Sequence, residues 1–267
     1  MTRKCFLIEH YEPGAEVIRV ADDVAHHIRK VLRLRPGDSI ELRDGQGNGW
    51  NAIIREIQRK AVLVTLVGKQ TVQKESPLRL TLALALSRSD RMELVLRQAT
   101  EMGVHRFVAF RAERSDYSLP GSQIDKRKER WRKIACEALC QCGRTRLPEI
   151  LILPDTTDLI AGISALVNEG ERGLKILAKE QAERQGLLSL FRAHSRCREI
   201  MMVIGPEGGW SEREGDQFVA AEFYPVHLGP RTLRLETAAV AVLAAVQLLW
   251  GDLGDPLPGL HQVRCPL

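Results

Sequence analysis

The chain has 267 residues, of which 44% are hydrophobic and 27% charged, a composition typical of globular proteins with one large domain or two ordinary ones. Its N-terminus lacks the apolar core of a signal peptide and no apolar run is long enough to span a bilayer, so we expect a cytoplasmic protein without a membrane partner. The net charge of +5 fits either an anionic partner or simple solubility.

The first part of the chain, about 70 residues, consists of short apolar runs separated by turn residues, which predicts β-strands. The segment "DGQGNG" (Asp44–Gly49) lies between two alternating runs and predicts a hairpin. One α-helix is predicted among the strands, with an apolar stripe of Val24, Ile28, Val31 and Leu32. Many short strands with one helix predict a small β-barrel.

A change of composition near residues 72–80 begins a second pattern, in which strands alternate with helices. This alternation predicts an α/β domain around a mainly parallel sheet. Asp90 is the predicted cap of the first helix, supported by Glu93, and Gly103 ends it. The last three strands are "LKILA", "EIMMVIG" and "YPVHLG". Because open α/β sheets bind ligands at the carboxyl ends of their strands, the turns after these strands are candidate sites.

The loop "GPEGG" (Gly205–Gly209) joins one of these strands to a helix that starts at a predicted Ser211–Glu214 capping box. Its backbone N–H groups and missing Cβ atoms allow a ligand to approach closely. A Walker phosphate loop requires Lys followed by Ser or Thr, which this loop lacks, and Glu207 repels a polyphosphate. The pattern favours a nucleoside without phosphates, or one with a positive centre; a tight turn without a ligand is the alternative.

A second Gly-Pro bend follows the last strand, and Arg231, Arg234 and Glu236 come directly after it. The helix that follows is apolar on nearly every face over Ala238–Val246, so it must be enclosed on all sides. Its small residues suit either a core helix or a subunit interface. The charged residues before it either pair with one another or serve a site.

The cysteines contain no CxxC pair. Cys136, Cys140 and Cys142 lie close together in sequence, but no histidine lies near them to complete a zinc site. We therefore expect no bound metal. We interpret the cysteines as reduced thiols, most of them packed in the interior of a cytosolic protein. The cysteines are Cys5, Cys136, Cys140, Cys142, Cys197 and Cys265.

The two C-terminal motifs in full are "IGPEGGWSEREGDQF" and "LGPRTLRLETAAVA". Before them come "HHIRKVLRLRPGD", "LRDGQG", "DRMELVLRQATEMGV", "ERS" (Glu113–Ser115) and "EALCQCGRTRLPEI". In this order they resemble the signatures of the bacterial 16S ribosomal RNA uridine-N3 methyltransferases (the RsmE family) of the SPOUT, or trefoil-knot, superfamily. The resemblance covers nearly the whole chain up to Asp252.

Two positions depart from the pattern of that family. Leu235 stands where Thr is usual, so a hydroxyl that would assist the substrate is missing. Ser87-Arg88-Ser89 stands where Lys-Gly or Arg-Gly is commoner, which keeps one basic side chain but loses the glycine of the turn.

The resemblance implies an α/β fold with an N-terminal PUA-like, RNA-binding β-barrel (residues 1–72). A SPOUT methyltransferase domain (residues 76–252) with a C-terminal trefoil knot would follow it. The implied cofactor is S-adenosylmethionine, a nucleoside with a sulfonium cation and no phosphate, which matches the ligand that the Gly-rich loop favours. The implied cofactor-binding residues are Leu177, Ala178, Ile204, Gly205, Pro206, Glu207, Gly208, Gly209, Leu228, Gly229, Leu233 and Leu235.

The implied reaction is methylation of uridine N3 in 16S ribosomal RNA. Arg234 is the favoured electrostatic helper, with Arg231 as an alternative. Glu207 or Glu236 either takes the imide proton, holds an arginine in place, or forms a structural ion pair. The choice between the two carboxylates is open at this stage.

The expected RNA contacts are basic residues from several segments: Arg3, Lys30, Arg33, Arg88, Arg91, Arg114 and Arg144. The expected partners are 16S ribosomal RNA or the small ribosomal subunit, and a second copy of the chain in a homodimer. Two alternatives are kept. One is a knotted methyltransferase that acts on another ribosomal or transfer RNA nucleotide, and the other is a non-catalytic RNA-binding protein of ribosome assembly.

Overall fold

The computed structural model describes residues 4–8, 16–59, 61–70, 74–167, 173–180 and 186–254. They form two compact units. The first contains the described residues up to Glu75 together with Cys136–Leu147, and the second contains Ser76–Ala135 and the described chain from Pro148 onward. The segment Cys136–Leu147, which the sequence assigns to the second domain, thus groups with the first unit. Across these described ranges no helix is long and apolar enough to cross a membrane.

The first unit contains a five-stranded sheet. Its strands are β1 (Cys5–Leu7), β2 (Val17–Ala21), β3 (Ser39–Arg43), β4 (Gly49–Ile57) and β5 (Ala61–Lys69), in the spatial order β1-β3-β4-β5-β2. All pairs are antiparallel except β1 with β3. β3 and β4 form the predicted hairpin, with Arg43 opposite Gly49. Alternate side chains of the strands, such as Val62 and Val64, form the core of this unit.

The helical segment of this unit is not the single α-helix that the sequence predicts. It begins as α1 (Asp22–His26) and continues as a π-helix over His27–Val31, where the Leu32 N–H donates to the carbonyl oxygen five residues earlier at 3.0 Å. The wider turn rotates the side chains that follow. Ile28 is therefore fully buried, whereas Val31, predicted in the apolar stripe, is 59% exposed.

Arg43 joins the sheet of the first unit to the segment Cys136–Leu147. Its side chain is 2% exposed, and the guanidinium donates to the carbonyl oxygens of Leu139 (3.0 Å) and Arg144 (2.7 Å). It also pairs with Glu41 at 2.7 Å. A buried guanidinium is costly unless its charge and N–H groups are satisfied, so these contacts hold the segment against the sheet.

The second unit is built on a six-stranded, entirely parallel sheet. Its spatial order, β11-β9-β10-β6-β7-β8, confirms the predicted α/β class. The edge strand β8 is absent from the sequence prediction. In chain order the strands are β6 (Arg79–Ala85), β7 (Arg106–Phe110), β8 (Glu149–Leu153), β9 (Gly173–Ala178), β10 (Glu199–Ile204) and β11 (Tyr224–Val226).

Helices cover both faces of this sheet. One face packs against α2 (Ser89–Glu101), the part of α3 (Ile124–Cys142) that belongs to this unit, α6 (Leu187–His194) and α8 (Leu235–Trp250). The other face packs against α4 (Thr156–Ala161), α5 (Ile163–Leu166) and α7 (Glu212–Ala220). Neighbouring residues of one strand enter opposite cores, as Leu84 and Ala85 of β6 do.

Helix α2 begins at Ser89, two residues earlier than a cap at Asp90 predicts, so Asp90 is not its N-cap. The cap position is Arg88, which makes no side-chain capping bond, and Asp90 lies in the first turn, where the helix dipole favours its charge. Glu93 accepts a hydrogen bond from Ser89 at 3.0 Å and pairs with Arg130 at 2.6 Å. Glu93 therefore links α2 to α3 and does not complete a capping box.

Candidate active site

The carboxyl ends of three neighbouring strands lie side by side at one edge of the sheet. Val226 of β11 is in register with Ala178 of β9, and Ala178 is in register with Ile204 of β10. The loops that follow are the three to which the sequence assigns a ligand. The chain also leaves the adjacent strands β6 and β10 in opposite directions along the sheet, toward β7 and β11. Open α/β sheets bind their ligands at such a switch point.

Trp210 fixes the position of the Gly-rich loop. Its Nε1–H donates to the Ala178 carbonyl oxygen at 2.8 Å, and its ring stacks on Phe110 with centroids 6.3 Å apart. A Cβ atom at Gly205 would lie 2.8 Å from the indole, so a larger residue does not fit there without a shift. The indole thereby connects the ends of β7, β9 and β10.

These contacts use some of the backbone groups at the end of β9. The Ala178 carbonyl oxygen accepts from Trp210, and the Lys179 N–H donates to the Val226 carbonyl oxygen at 2.9 Å. A ligand must therefore take its main-chain contacts largely from the Gly-rich loop and from the bend before α8.

Glu207, in the centre of the Gly-rich loop, is held by two residues that follow β6. The Ser87 Oγ–H donates to Glu207 Oε1 at 2.6 Å, and the Arg91 guanidinium forms an ion pair with the same oxygen. Burial alone raises the pKa of the Glu207 carboxyl. Hydrogen bonds from Ser87, from its own backbone and from Arg91, with the Arg91 charge, outweigh burial and lower that pKa below its usual value. Glu207 is thus a stable carboxylate and a weak base.

Glu214 connects the start of α7 to two other segments. The carboxylate is fully buried and completes the predicted capping box with Ser211. Its Oε1 atom also accepts hydrogen bonds from the Glu113 N–H at 3.0 Å and the Thr156 hydroxyl at 2.7 Å. The loops after β7 and β8 are therefore tied to the helix that follows the Gly-rich loop.

The loop after β7 also packs directly on the Gly-rich loop. Arg114 donates to the Gly208 carbonyl oxygen at 3.4 Å, and a Cβ at Gly208 would lie 3.1 Å from the Cβ of Arg114. Glu113 pairs with Arg213, Nε to Oε1 at 2.6 Å. A hydrogen bond with Ser211 and then the contacts with Arg213 lower the pKa of the Glu113 carboxyl.

The bend before α8 carries the other predicted catalytic residues. Arg231 and Arg234 are exposed, and Arg234 is the residue just before the helix. Glu236 lies in the first turn, where its Oε2 atom is buried and has no hydrogen-bond partner among the described residues. A buried acceptor without a donor is costly, so this oxygen is a candidate for a ligand contact.

Comparison with known proteins places this arrangement in a family. A family model described as the RNA methyltransferase domain matches residues 74–247. The chain belongs to the RNA methyltransferase family. A second model, the RNA methyltransferase PUA domain, matches residues 20–67, so the α/β fold of this RNA methyltransferase includes an N-terminal PUA domain.

Relatives of this RNA methyltransferase extend over almost its full length. The Mycobacterium bovis ribosomal RNA small subunit methyltransferase E is 31% identical over 249 residues, 93% of each chain. A crystal structure of the protein of that name from Neisseria gonorrhoeae, bound to S-adenosyl methionine, has 31% identity and a TM-score of 0.82 over 94% of this chain and 99% of that one. A Legionella pneumophila protein in complex with bound SAM has 28% identity and a TM-score of 0.84, over 95% and 100% of the chains.

The cofactor-binding residues predicted for this RNA methyltransferase lie at the ends of β9 and β10, in the loop after β10, and between the end of β11 and the start of α8. Several of their side chains point into the cores, among them Leu177, Ile204 and Leu235. Leu235 is 3% exposed, so the residue that stands where the family has Thr is a core residue. Such positions have only their main-chain groups to offer a ligand.

The predicted RNA contacts differ in their surroundings. Lys30 and Arg33 of the first unit and Arg88 and Arg114 of the second are exposed. Arg91 is engaged by Glu207. Arg3 lies outside the described residues.

Arg144 is buried, and we assign it to the structure of the first unit instead of to RNA binding. Its side chain is 4% exposed and pairs with Glu75, Nη2 to Oε2 at 2.9 Å. Glu75 also accepts hydrogen bonds from the N–H groups of Thr145 and Arg146 at 2.7 and 2.9 Å. A guanidinium in these contacts is not available to a phosphate.

Sequence reasoning missed two residues of the site. Ser87 enters the sequence prediction only as a departure from the family pattern, and Trp210 only as one letter of the motif "IGPEGGWSEREGDQF". In sequence, the position of Trp210 directly after the Gly-rich loop is a usable signal, because a large ring there must pack on the loop. Ser87 carries no comparable signal.

The described cysteines are all free thiols: Cys5, Cys136, Cys140, Cys142 and Cys197. A hydrogen bond with Cys5, together with burial, raises the pKa of the Cys140 thiol. In the part of the chain that the structure describes, no group of three or more His, Cys, Asp or Glu side chains is arranged to hold a metal ion.

Proposed function

We propose that the protein transfers a methyl group from S-adenosylmethionine to N3 of a uridine in 16S ribosomal RNA. Membership of the RNA methyltransferase family and relatives named ribosomal RNA small subunit methyltransferase E support the reaction class and the substrate. The observation that carries the proposal is the alignment of the ends of β11, β9 and β10, where a Gly-rich loop and a second Gly-Pro bend begin.

The residues of this edge fit a nucleoside with a sulfonium cation and no phosphate. The Arg91 and Arg213 charges beside the Gly-rich loop are neutralised by Glu207 and Glu113, which is unfavourable for a polyphosphate site. The proposed holders are the main-chain groups of 204–209 and 228–235, and the bound cofactor supplies an electrophilic methyl group.

The acceptor must lose a proton for the reaction to occur. Uridine N3 carries a weakly acidic imide proton, and its removal leaves negative charge on the base oxygens. Arg234, exposed at the N-terminal end of α8, stabilises that charge by a charge-assisted hydrogen bond, and the helix dipole acts in the same direction. Arg231 is the alternative position for this role. Glu236 accepts the proton, because Glu207 is already engaged by Ser87 and Arg91.

We further propose that residues 1–72, together with Cys136–Leu147, form a PUA-like β-barrel that binds RNA, and that the remainder of residues 76–252 forms a SPOUT domain with a C-terminal trefoil knot. The match to the PUA model supports the first part of this assignment, and the parallel sheet between two layers of helices supports the α/β class of the second. Exposed Lys30 and Arg33 supply phosphate contacts from the first unit. The protein acts in the cytoplasm, where its ribosomal substrate is made.

A homodimer through α8 is part of the proposal. Most of this helix is buried, but one stripe along it is exposed in the single chain. Thr237 and Ala241 are exposed, and Leu248 is 59% exposed. Ala244 and Ala245 between them are only half-buried. Small and apolar side chains at this spacing suit close contact with a second copy of the same helix.

The test is methylation of 16S ribosomal RNA, as free RNA and in the small subunit, with labelled S-adenosylmethionine and mass-spectrometric mapping. We expect a single uridine methylated at N3, and an Arg234→Met variant whose kcat falls about 10²–10³-fold. Arg130→Met, which removes a solvent-exposed arginine of α3, should retain activity. Methylation of another nucleotide would favour the related knotted enzyme, and absence of cofactor binding in calorimetry would favour the non-catalytic alternative.

A further inference from the structure

We infer that Ser87 and Arg91 are positioning residues that use Glu207 to anchor the Gly-rich loop, and that Glu207 is not the base of the reaction. This inference rests on the proposed function, because it concerns the same cofactor site. It gives Arg91 a role different from the RNA contact that the sequence suggests.

The anchor joins three segments of the second unit. Ser87 follows β6, Arg91 lies in α2, and Glu207 lies in the loop after β10, the strand next to β6. Both donors act on the same atom, Glu207 Oε1. The side chains of Arg91 and Glu207 are only 31% and 33% exposed, so their ion pair is shielded from water and salt more than a surface pair is.

The surroundings of the two candidate carboxylates are opposite. Glu207 Oε1 already accepts from a hydroxyl and a cation, so a proton taken up there must displace these donors. Glu236 Oε2 is buried and has no partner in the described chain. A carboxylate already engaged by a hydroxyl and a guanidinium is a poorer base than one with an oxygen that has no donor, so Glu236 is the better candidate.

The Gly-rich loop needs such an anchor because its glycines have no side chains with which to pack. Gly205, Gly208 and Gly209 have a large conformational entropy in a free loop, which binding of a ligand must otherwise remove. Trp210 fixes the loop from the β9 side, and Glu207 fixes it from the β6 side. Together they hold the backbone N–H groups in place before the cofactor binds, which favours affinity.

The test combines Glu207→Gln, Arg91→Met and the double variant. Calorimetry gives the Kd for S-adenosylmethionine, and kinetics on 16S ribosomal RNA give kcat, both KM values and the pH profile. Each single change should raise the Kd and the KM for the cofactor about tenfold, while kcat at saturating cofactor and the acidic limb of the pH profile are retained. The double variant should be little worse than either single one, because both remove the same contact.

Two further variants distinguish a specific loss of cofactor affinity from a general loss of folding. Arg91→Lys should recover part of the cofactor affinity, and Ser87→Ala should weaken it less than Arg91→Met because the ion pair remains. Arg130→Met with Glu93→Gln removes an Arg–Glu pair between α2 and α3 and serves as the matched control. This control variant should leave the cofactor Kd unchanged.

Three results would overturn the inference. A large fall in kcat for Glu207→Gln with an unchanged cofactor Kd and loss of the acidic limb would make Glu207 the base. A rise confined to the RNA KM in Arg91→Met, stronger at low salt, would make Arg91 a phosphate contact. Additive effects in the double variant would mean that the pair does not act as a unit. Failure of the proposed function differs from all three, since the unmodified protein would then neither bind the cofactor nor methylate uridine N3.

Discussion

Replacement of Glu214 by alanine should destabilise the second unit by about 3 kcal/mol, because three hydrogen-bond donors lose their acceptor. The Ser211 N–H, 3.2 Å from Glu214 Oε2, loses the side-chain half of the capping box and contributes about 1 kcal/mol, whereas the Ser211 hydroxyl still accepts from the N–H of residue 214. The Glu113 N–H and the Thr156 hydroxyl, at 3.0 and 2.7 Å from Glu214 Oε1, each lose their acceptor. Each loss costs about 1–3 kcal/mol, and we take the lower part of that range because removal of a buried charge recovers some desolvation energy.

Urea unfolding followed by circular dichroism measures this effect as a lower midpoint at an unchanged slope. Glu212→Ala is the matched control, because this exposed glutamate lies in the same helical turn and does not form the cap; its effect should stay within about 0.5 kcal/mol. Glu214→Gln, which keeps one carbonyl acceptor, should fall between the two. If Glu214→Ala is no more destabilising than Glu212→Ala, the described contacts do not carry the stability assigned to them.

Three further predictions follow from the same contacts. Trp210→Phe loses the bond to the Ala178 carbonyl oxygen and should weaken S-adenosylmethionine binding about fivefold in calorimetry, whereas Trp250→Phe, which loses a similar bond of 2.9 Å far along α8, should leave it unchanged. Arg144→Met should lower the unfolding free energy by about 3 kcal/mol in denaturant titrations, yet gel shifts of the folded variant should show unchanged RNA affinity. Despite burial, which alone raises them, the pKa values of Glu93 and Glu207 lie below the usual 4.5 in the folded state, so their stabilisation is present above that pH and is lost as the pH falls through the folded values. Thermal melts at decreasing pH should therefore show a steeper loss for the parent protein than for Glu207→Gln, and equal slopes would contradict the assignment.

Local patterns were sufficient for most of the fold. The apolar runs of β6, β9 and β10 alternate with helices, and their parallel pairing follows from that order. The edge strand β8 was missed although its run "EILIL" is apolar and lies between two prolines, a strand signal that the sequence prediction left unused. The π-helix at His27–Val31 was missed because it depends on how Ile28 fits the core, which a local period of 3.6 residues does not report.

The candidate site was predicted as loops and not as contacts. Gly-rich and Gly-Pro segments after strands identify the edge of the sheet where a ligand binds, and the structure brings these segments together. The partners of Glu207 could not be predicted from local sequence, because Ser87 is 120 residues away in the chain and Arg91 is 116 residues away. The burial of Arg144 could not be predicted for the same reason. Its charge suggested a contact with RNA at the surface, but in the structure it is buried and paired with Glu75, 69 residues earlier.

The first unit is interrupted in sequence, and this has a consequence for biosynthesis. The carbonyl oxygens of Leu139 and Arg144 that receive the Arg43 guanidinium are translated about a hundred positions after Arg43 itself. A nascent chain that ends shortly after Glu75 therefore lacks these two carbonyl acceptors for the Arg43 guanidinium, which is buried in the folded unit. Residues Ser76–Ala135 must be translated before the acceptors are made. A truncated gene for the first unit should accordingly extend through Leu147, and one that stops at Glu75 should yield an incomplete unit.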